Sequence, residues 1–170
     1  MIRLSVVACL FVQLISVLGA EELGLKERLD MYVGRWSGVF NLEAPEIEFQ
    51  ESFTVEQKYW WQDDALRAVS VASRESGKAS SKSVTWIDGN KYISEVTRGE
   101  EVERYYGVVR DGGIVWFPVD LDRAMQYQLK EEIQAVDGEL VLTTKGFDTF
   151  VSEGKTGQLL YFGELVKEKE

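Results

Sequence analysis

Histidine is absent from all 170 residues, and cysteine occurs once, at Cys9. Without histidine there is no Ser-His-Asp or Cys-His catalysis and no proximal-histidine haem site. With cysteine also missing beyond position 9, the ordinary zinc and copper ligand sets are gone. No metal and no cofactor is therefore expected. No disulfide is expected either, so stability has to come from a packed core, which a chain of this size can bury. Positive charge is also scarce: 19 Lys and Arg stand against 29 Asp and Glu, a formal net charge of −10. Such a surface repels phosphate backbones and anionic lipid headgroups, which excludes nucleic acid as an expected partner.

What is present begins with a targeting signal. Residues 1–20, MIRLSVVACLFVQLISVLGA, place Arg3 before an apolar run from Leu4 to Leu18, followed by the small pair Gly19-Ala20. This order is that of a cleavable secretory signal peptide, with cleavage expected after Ala20. The run is shorter than the ~20 apolar residues a spanning helix prefers, so no membrane insertion is expected after cleavage. The product would be a secreted or periplasmic chain, one domain over residues 21–170.

Leu25, Leu29 and Val33 recur at helical spacing between charged residues, which predicts an amphipathic helix over 21–33 with Gly34 as its stop. From Arg35 onward the period changes to two. Trp36, Gly38, Phe40 and Leu42 share one face, and Ile47 to Tyr59 alternate apolar with polar residues. Asp88-Gly89, Asp111-Gly112-Gly113 and Asp137-Gly138 supply tight-turn chemistry between β-rich runs. Ten strands are predicted in this way, ending with Met125–Val136, Glu139–Gly146 and Leu159–Lys167. A flat meander of ten strands leaves two open edges, and closure removes them. Polar residues on one face of each strand argue against a lipid-facing barrel. The expected fold is all-β: a closed antiparallel up-and-down β-barrel over 34–167 with one short N-terminal helix.

Gly34-Arg35-Trp36, placed after a helix and at the start of a meander, resembles the G-x-W motif that opens the barrels of the calycin superfamily, the lipocalins and their relatives. The resemblance implies that Gly34 and Trp36 are structural, with Trp36 plugging one end of the barrel. Eight-stranded lipocalins close that end with a late arginine stacked on the motif tryptophan. This chain has only lysines after Arg123. Ten strands and a signal sequence bring it nearest to the bacterial lipocalin-like proteins of unsettled function.

Strand alternation nominates interior polar groups. Arg67 shares a face with Val69 and Val71, Arg104 and Tyr106 share one with Val102 and Val108, and Glu51 lies between Phe49 and Phe53. A buried arginine needs an anionic partner, so Arg104 and Tyr106, with Arg67, are candidate ligand-binding residues for an acidic amphiphile. An internal salt bridge or a solvent-facing arginine is the alternative. Phe49, Phe53 and Trp116 are candidate cavity walls. Trp60-Trp61 point to opposite faces, which places one at a rim, either for ligand access or under the N-terminal helix. Asp63-Asp64 and Asp120-Leu121-Asp122 lack the glycine and glutamate of a calcium loop and read as turn acids. The expected function is extracytoplasmic binding of a small hydrophobic or amphipathic molecule inside the barrel. The alternatives are a solid-cored barrel acting as a structural or interaction module, and a histidine-free isomerase or lyase on the same scaffold.

Overall fold

The computed structural model describes residues 23–152 and 154–169, so the segment expected to be a signal peptide lies outside the described residues. Ten antiparallel strands follow one helix, α1 (Leu25–Asp30): β1 (Gly34–Ala44), β2 (Phe49–Gln62), β3 (Ala65–Arg74), β4 (Gly77–Asp88), β5 (Lys91–Arg98), β6 (Glu101–Arg110), β7 (Gly113–Pro118), β8 (Tyr127–Val136), β9 (Glu139–Ser152) and β10 (Lys155–Lys167). Each strand pairs with its neighbours in sequence, and β1 pairs with β10 to close the barrel. The up-and-down closed barrel expected from the alternation is the observed fold. Among the described residues no helix is long and apolar enough to cross a membrane.

The differences from expectation have local causes. The helix ends at Asp30 because its last turn tightens, with Tyr32 N donating to Leu29 O at 3.1 Å and Val33 N to Asp30 O at 3.2 Å. A short second helix, α2 (Leu121–Ala124), replaces the loop expected after Pro118, capped by Asp120 Oδ1 accepting from Asp122 N at 2.9 Å. Met125, expected to begin a strand, is instead the exposed end of α2. Strands β9 and β10 run past Gly146 and before Leu159 to a hairpin the turn signals did not mark.

Tight turns set the register. Asp63 and Asp64 both adopt positive φ, 51° and 59°, and pair Gln62 with Ala65. Two left-handed residues give the twist that matches flanking strands. The same spacing recurs where Arg98 pairs with Glu101 and Asp88 with Lys91. Each such turn pairs an even-numbered residue with an odd-numbered one, so the inward parity flips from strand to strand.

Helix α1 covers one end of the barrel and rests on side chains from around its circumference. Tyr92 Oη donates to Leu25 O at 2.9 Å, Trp61 Nε1 to Asp30 Oδ1 at 2.6 Å, and Arg28 to Gly112 O at 2.6 Å. On the inner face of α1, Leu29 packs with Tyr32, Trp36, Tyr92, Ile114, Leu142 and Leu165 in a buried plug. Trp36 has no exposed surface, and its indole N–H donates to Tyr32 O at 2.7 Å. Gly34 makes the corner at φ 125°, which a side chain would strain. Lys167, on the last strand, reaches over this end of the barrel. Its ammonium lies 5.5 Å from the Trp36 ring centre and donates to Met31 O at 3.2 Å.

Candidate functional site

The interior above this plug is hollow. A cavity of about 590 Å³ runs from Leu29 and Tyr32 of the helix end to a rim formed by Phe49, Arg74 and Arg98. Its two sides differ in bulk. Strands β1, β2, β6, β7, β8 and β10 contribute Phe40, Phe53, Tyr105, Trp116, Tyr127 and Tyr161, with Phe40 stacked on Phe53 and Tyr127 packed between Tyr105 and Tyr161. Below the rim arginines, strands β3 to β5 face inward mostly with small side chains, Ala68, Ser70, Ala72, Ser81, Ser83, Thr85 and Ser94, beside Leu66 and Val96. Small side chains on one side cannot reach the aromatic wall on the other, which is why the barrel is not packed solid. The volume falls within the range of small-molecule sites.

Deep in this space, Glu131 of β8 is the acidic group of the floor. Trp116 Nε1 donates to its Oε2 at 2.8 Å, and Tyr32 Oη donates to the same oxygen at 3.4 Å. Among the described residues no cation lies within ion-pair reach of it. Glu131 keeps some accessible surface because it fronts the cavity. Protein nevertheless crowds it enough that desolvation raises its pKa above the ordinary carboxylate range, against the lowering effect of the two donors. Tyr32 and Tyr59, with ring centres 5.4 Å apart, are raised well above the usual phenol value, first by burial and then by the charge of Glu131. In all three groups the shift is toward the protonated form.

The rim is built from ion pairs. Arg74 binds Glu51 at 2.9 Å with its guanidinium 4.2 Å above the Phe53 ring. Arg98 pairs with Glu103, which also accepts from Tyr105 Oη at 2.7 Å. Arg123 joins Asp148 at 2.8 Å and Glu103 at 3.5 Å. Burial alone would raise the Glu103 pKa, but the Tyr105 hydroxyl and Arg98 outweigh it and hold the carboxyl below its usual value. Tyr105 is pushed up to about 12, mainly by burial.

The sequence-predicted residues divide cleanly. Phe49, Phe53, Trp116 and Glu51 line the cavity. Arg67, Arg104 and Tyr106 do not: the inward placement expected for them is corrected. Leu66 and Ala68 on either side of Arg67 point in, as does Tyr105 between Arg104 and Tyr106, so alternation turns the three outward. Arg104 is spent on an external pair with Glu95, and Tyr106 lies under Lys91, 4.5 Å from its ring centre. Trp61 lies against the helix with Lys26 4.4 Å over its ring, so of the two roles weighed for Trp60-Trp61 the helix cover is the one found. Glu131 was missed, although the signal was present: a single acid between Leu129 and Ile133 on an otherwise apolar alternating face, the pattern that singled out Glu51.

A pH prediction arises here. Because the folded chain holds the Glu131 proton more tightly than an unfolded carboxyl of model value 4.5, its contribution to stability is full in acid and is lost as pH rises through the raised value. Glu131→Gln keeps the acceptor and has no proton to lose. The melting temperature of the native chain relative to Glu131→Gln is expected to fall as pH rises above the model value of 4.5, as read by thermal unfolding. A difference that stays flat as pH rises would contradict the buried-acid assignment.

No family model matches the chain, and no curated protein sequence matches it. Among solved structures, the barrel is similar to an S-type phycobiliprotein lyase, CPES, from Guillardia theta. The two share 14% sequence identity with a TM-score of 0.58, over 88% of this chain and 95% of that one. At that identity the likeness is one of fold.

Proposed function

We propose that this chain is an extracytoplasmic, lipocalin-like binding protein of the calycin type that takes a small amphipathic molecule into its barrel. The observation carrying this reading is the cavity itself, about 590 Å³ between an aromatic wall and a serine-lined one. A filled interior would have favoured a structural module. The polar rim and the aromatic wall suit a ligand with both characters, since burying the apolar part contributes roughly 25 cal/mol per Å². Export rests on residues 1–20 and their signal-peptide order. The similarity to a phycobiliprotein lyase supports the barrel fold on which this reading depends.

Native mass spectrometry of the full chain, expressed in an exporting bacterial host and purified without denaturation, tests both parts together. The expected spectrum shows a polypeptide lighter by residues 1–20 and carrying an additional lipid-sized mass. A chain that keeps its full 19.4 kDa, carries no adduct and shows no change in tryptophan emission with any added amphiphile would overturn the reading. One observation favours a second reading, catalysis on the bound molecule. Glu131, Tyr32 and Tyr59 form a cluster of carboxyl and phenols with raised pKa values at the cavity floor, and such clusters mark acid–base sites. That reading requires Glu131→Gln to stop turnover of the recovered molecule while leaving its uptake intact.

A further inference from the structure

The distribution of charge along the cavity distinguishes one kind of amphiphile from another. Two arginines line it, Arg74 and Arg98, and both stand at the rim with a carboxylate partner already in place. Of the two lining acids among the described residues, Glu51 is paired with Arg74, whereas Glu131 has no ion-pair partner among them. A carboxylate accepts about four hydrogen bonds. Both protein donors go to Oε2, from Trp116 and Tyr32, and among the described residues none goes to Oε1.

We propose that the cavity selects an amphiphile inserted nitrogen first, with a protonated amine or another N–H group donating to Glu131 at the floor. This deepens the small-molecule reading above and rests on it. A fatty acid fits neither way round. Head first, its carboxylate meets Glu131 with the arginines at the far rim, and two acids at close range disfavour each other's charge. Tail first, its methyl end covers a polar oxygen and leaves it without a donor, a cost comparable to a lost hydrogen bond. An ammonium head supplies the missing donor in a charge-assisted contact, shorter and stronger than a neutral one. A bound cation also favours the carboxylate form of Glu131 and so offsets the burial that disfavours it. The alkyl or ring portion then lies between the aromatic wall and the small side chains of β3 to β5.

Three ten-carbon probes separate the possibilities: decylamine, decanol and decanoate, titrated calorimetrically below micelle formation at pH 7 and physiological salt. The expected order is decylamine tightest, by about tenfold over decanol, the size of one charge-assisted contact, with decanoate weakest. The net charge of −10 attracts any amine to the surface, so the order is repeated in two variants. Glu131→Gln is expected to erase the advantage of the amine over the alcohol. Glu56→Gln, which removes an equal charge from an exposed outward position, is expected to keep it. Decanol or decanoate binding as tightly as decylamine overturns the proposal, as does an amine advantage that survives in Glu131→Gln. The order in the native chain needs no variant and decides the matter even if Glu131→Gln fails to fold. If all three probes bind alike, the cavity-binding reading stands and the selectivity is wrong. If none binds, both fall.

Discussion

Trp36→Ala is expected to destabilise the chain by about 3–5 kcal/mol, the usual range for removing a fully buried tryptophan. The expectation rests on position as much as on size. Trp36 is wholly enclosed by α1 and the closed end of the barrel, and the space it leaves cannot be filled from the solvent side. Its loss also leaves Tyr32 O without the indole donor at 2.7 Å, and an orphaned buried acceptor carries its own penalty. Tyr32 in turn holds Glu131, so the damage reaches the cavity floor. For a domain of this size the melting temperature should fall by on the order of 10 °C. Trp36→Phe keeps most of the ring and loses only the N–H, so it should fall between the native chain and Trp36→Ala. If thermal unfolding places Trp36→Ala within about 2 °C of the native chain, Trp36 is not the plug described here.

The role of Trp36 was legible in the sequence because Gly34-Arg35-Trp36 is a local signal: a helix stop, a sharp corner and one large apolar residue at the head of an alternating strand. Strand number and order were legible for the same reason, since turn residues and period-two alternation act over a few residues. The inward faces of β1 and β2 also read correctly, because on those strands the apolar side is the interior side. The failure came on β3 and β6, where a hollow barrel inverts the usual cue. The inner face of β3 carries Ala68, Ser70 and Ala72, which leave room, while Val69 and Val71 face out beside Arg67. On β6 the outward set includes Val102, 62% exposed, with Arg104 and Tyr106. Hydrophobicity ranks the valines as interior; the register does not. Counting through the two-residue turn at Asp63-Asp64 carries the correct parity of β2 onto β3, and Gly99-Glu100 carries that of β5 onto β6. Glu131 was missed because an acid on a strand reads as solvent-facing unless its flanking residues are weighed, and here Leu129 and Ile133 are the informative neighbours.

The same parity gives the sharpest test of where a ligand sits. Ala72→Trp is expected to weaken binding of decanol by about a hundredfold or more, roughly 2.7 kcal/mol. Ala72 belongs to the thin wall of small residues and lines the cavity, so an indole at that position enters the space a ligand would fill. The hollow accepts the added ring, and the cost to stability should stay within the roughly 1–3 kcal/mol typical of overpacking. Decanol is the appropriate probe because it carries no charge, which separates occlusion of the cavity from any effect at Glu131. Val71→Trp makes the identical change one residue earlier. Alternation puts that side chain outside the barrel, so this variant is expected to bind decanol as the native chain does. Calorimetric titration of the pair, with circular dichroism to check that both fold, distinguishes interior from exterior binding. Equal binding by Ala72→Trp and Val71→Trp would mean that the ligand does not occupy the barrel. Loss confined to Val71→Trp would reverse the assigned faces of β3 and, through the chain of two-residue turns, those of every strand up to β7.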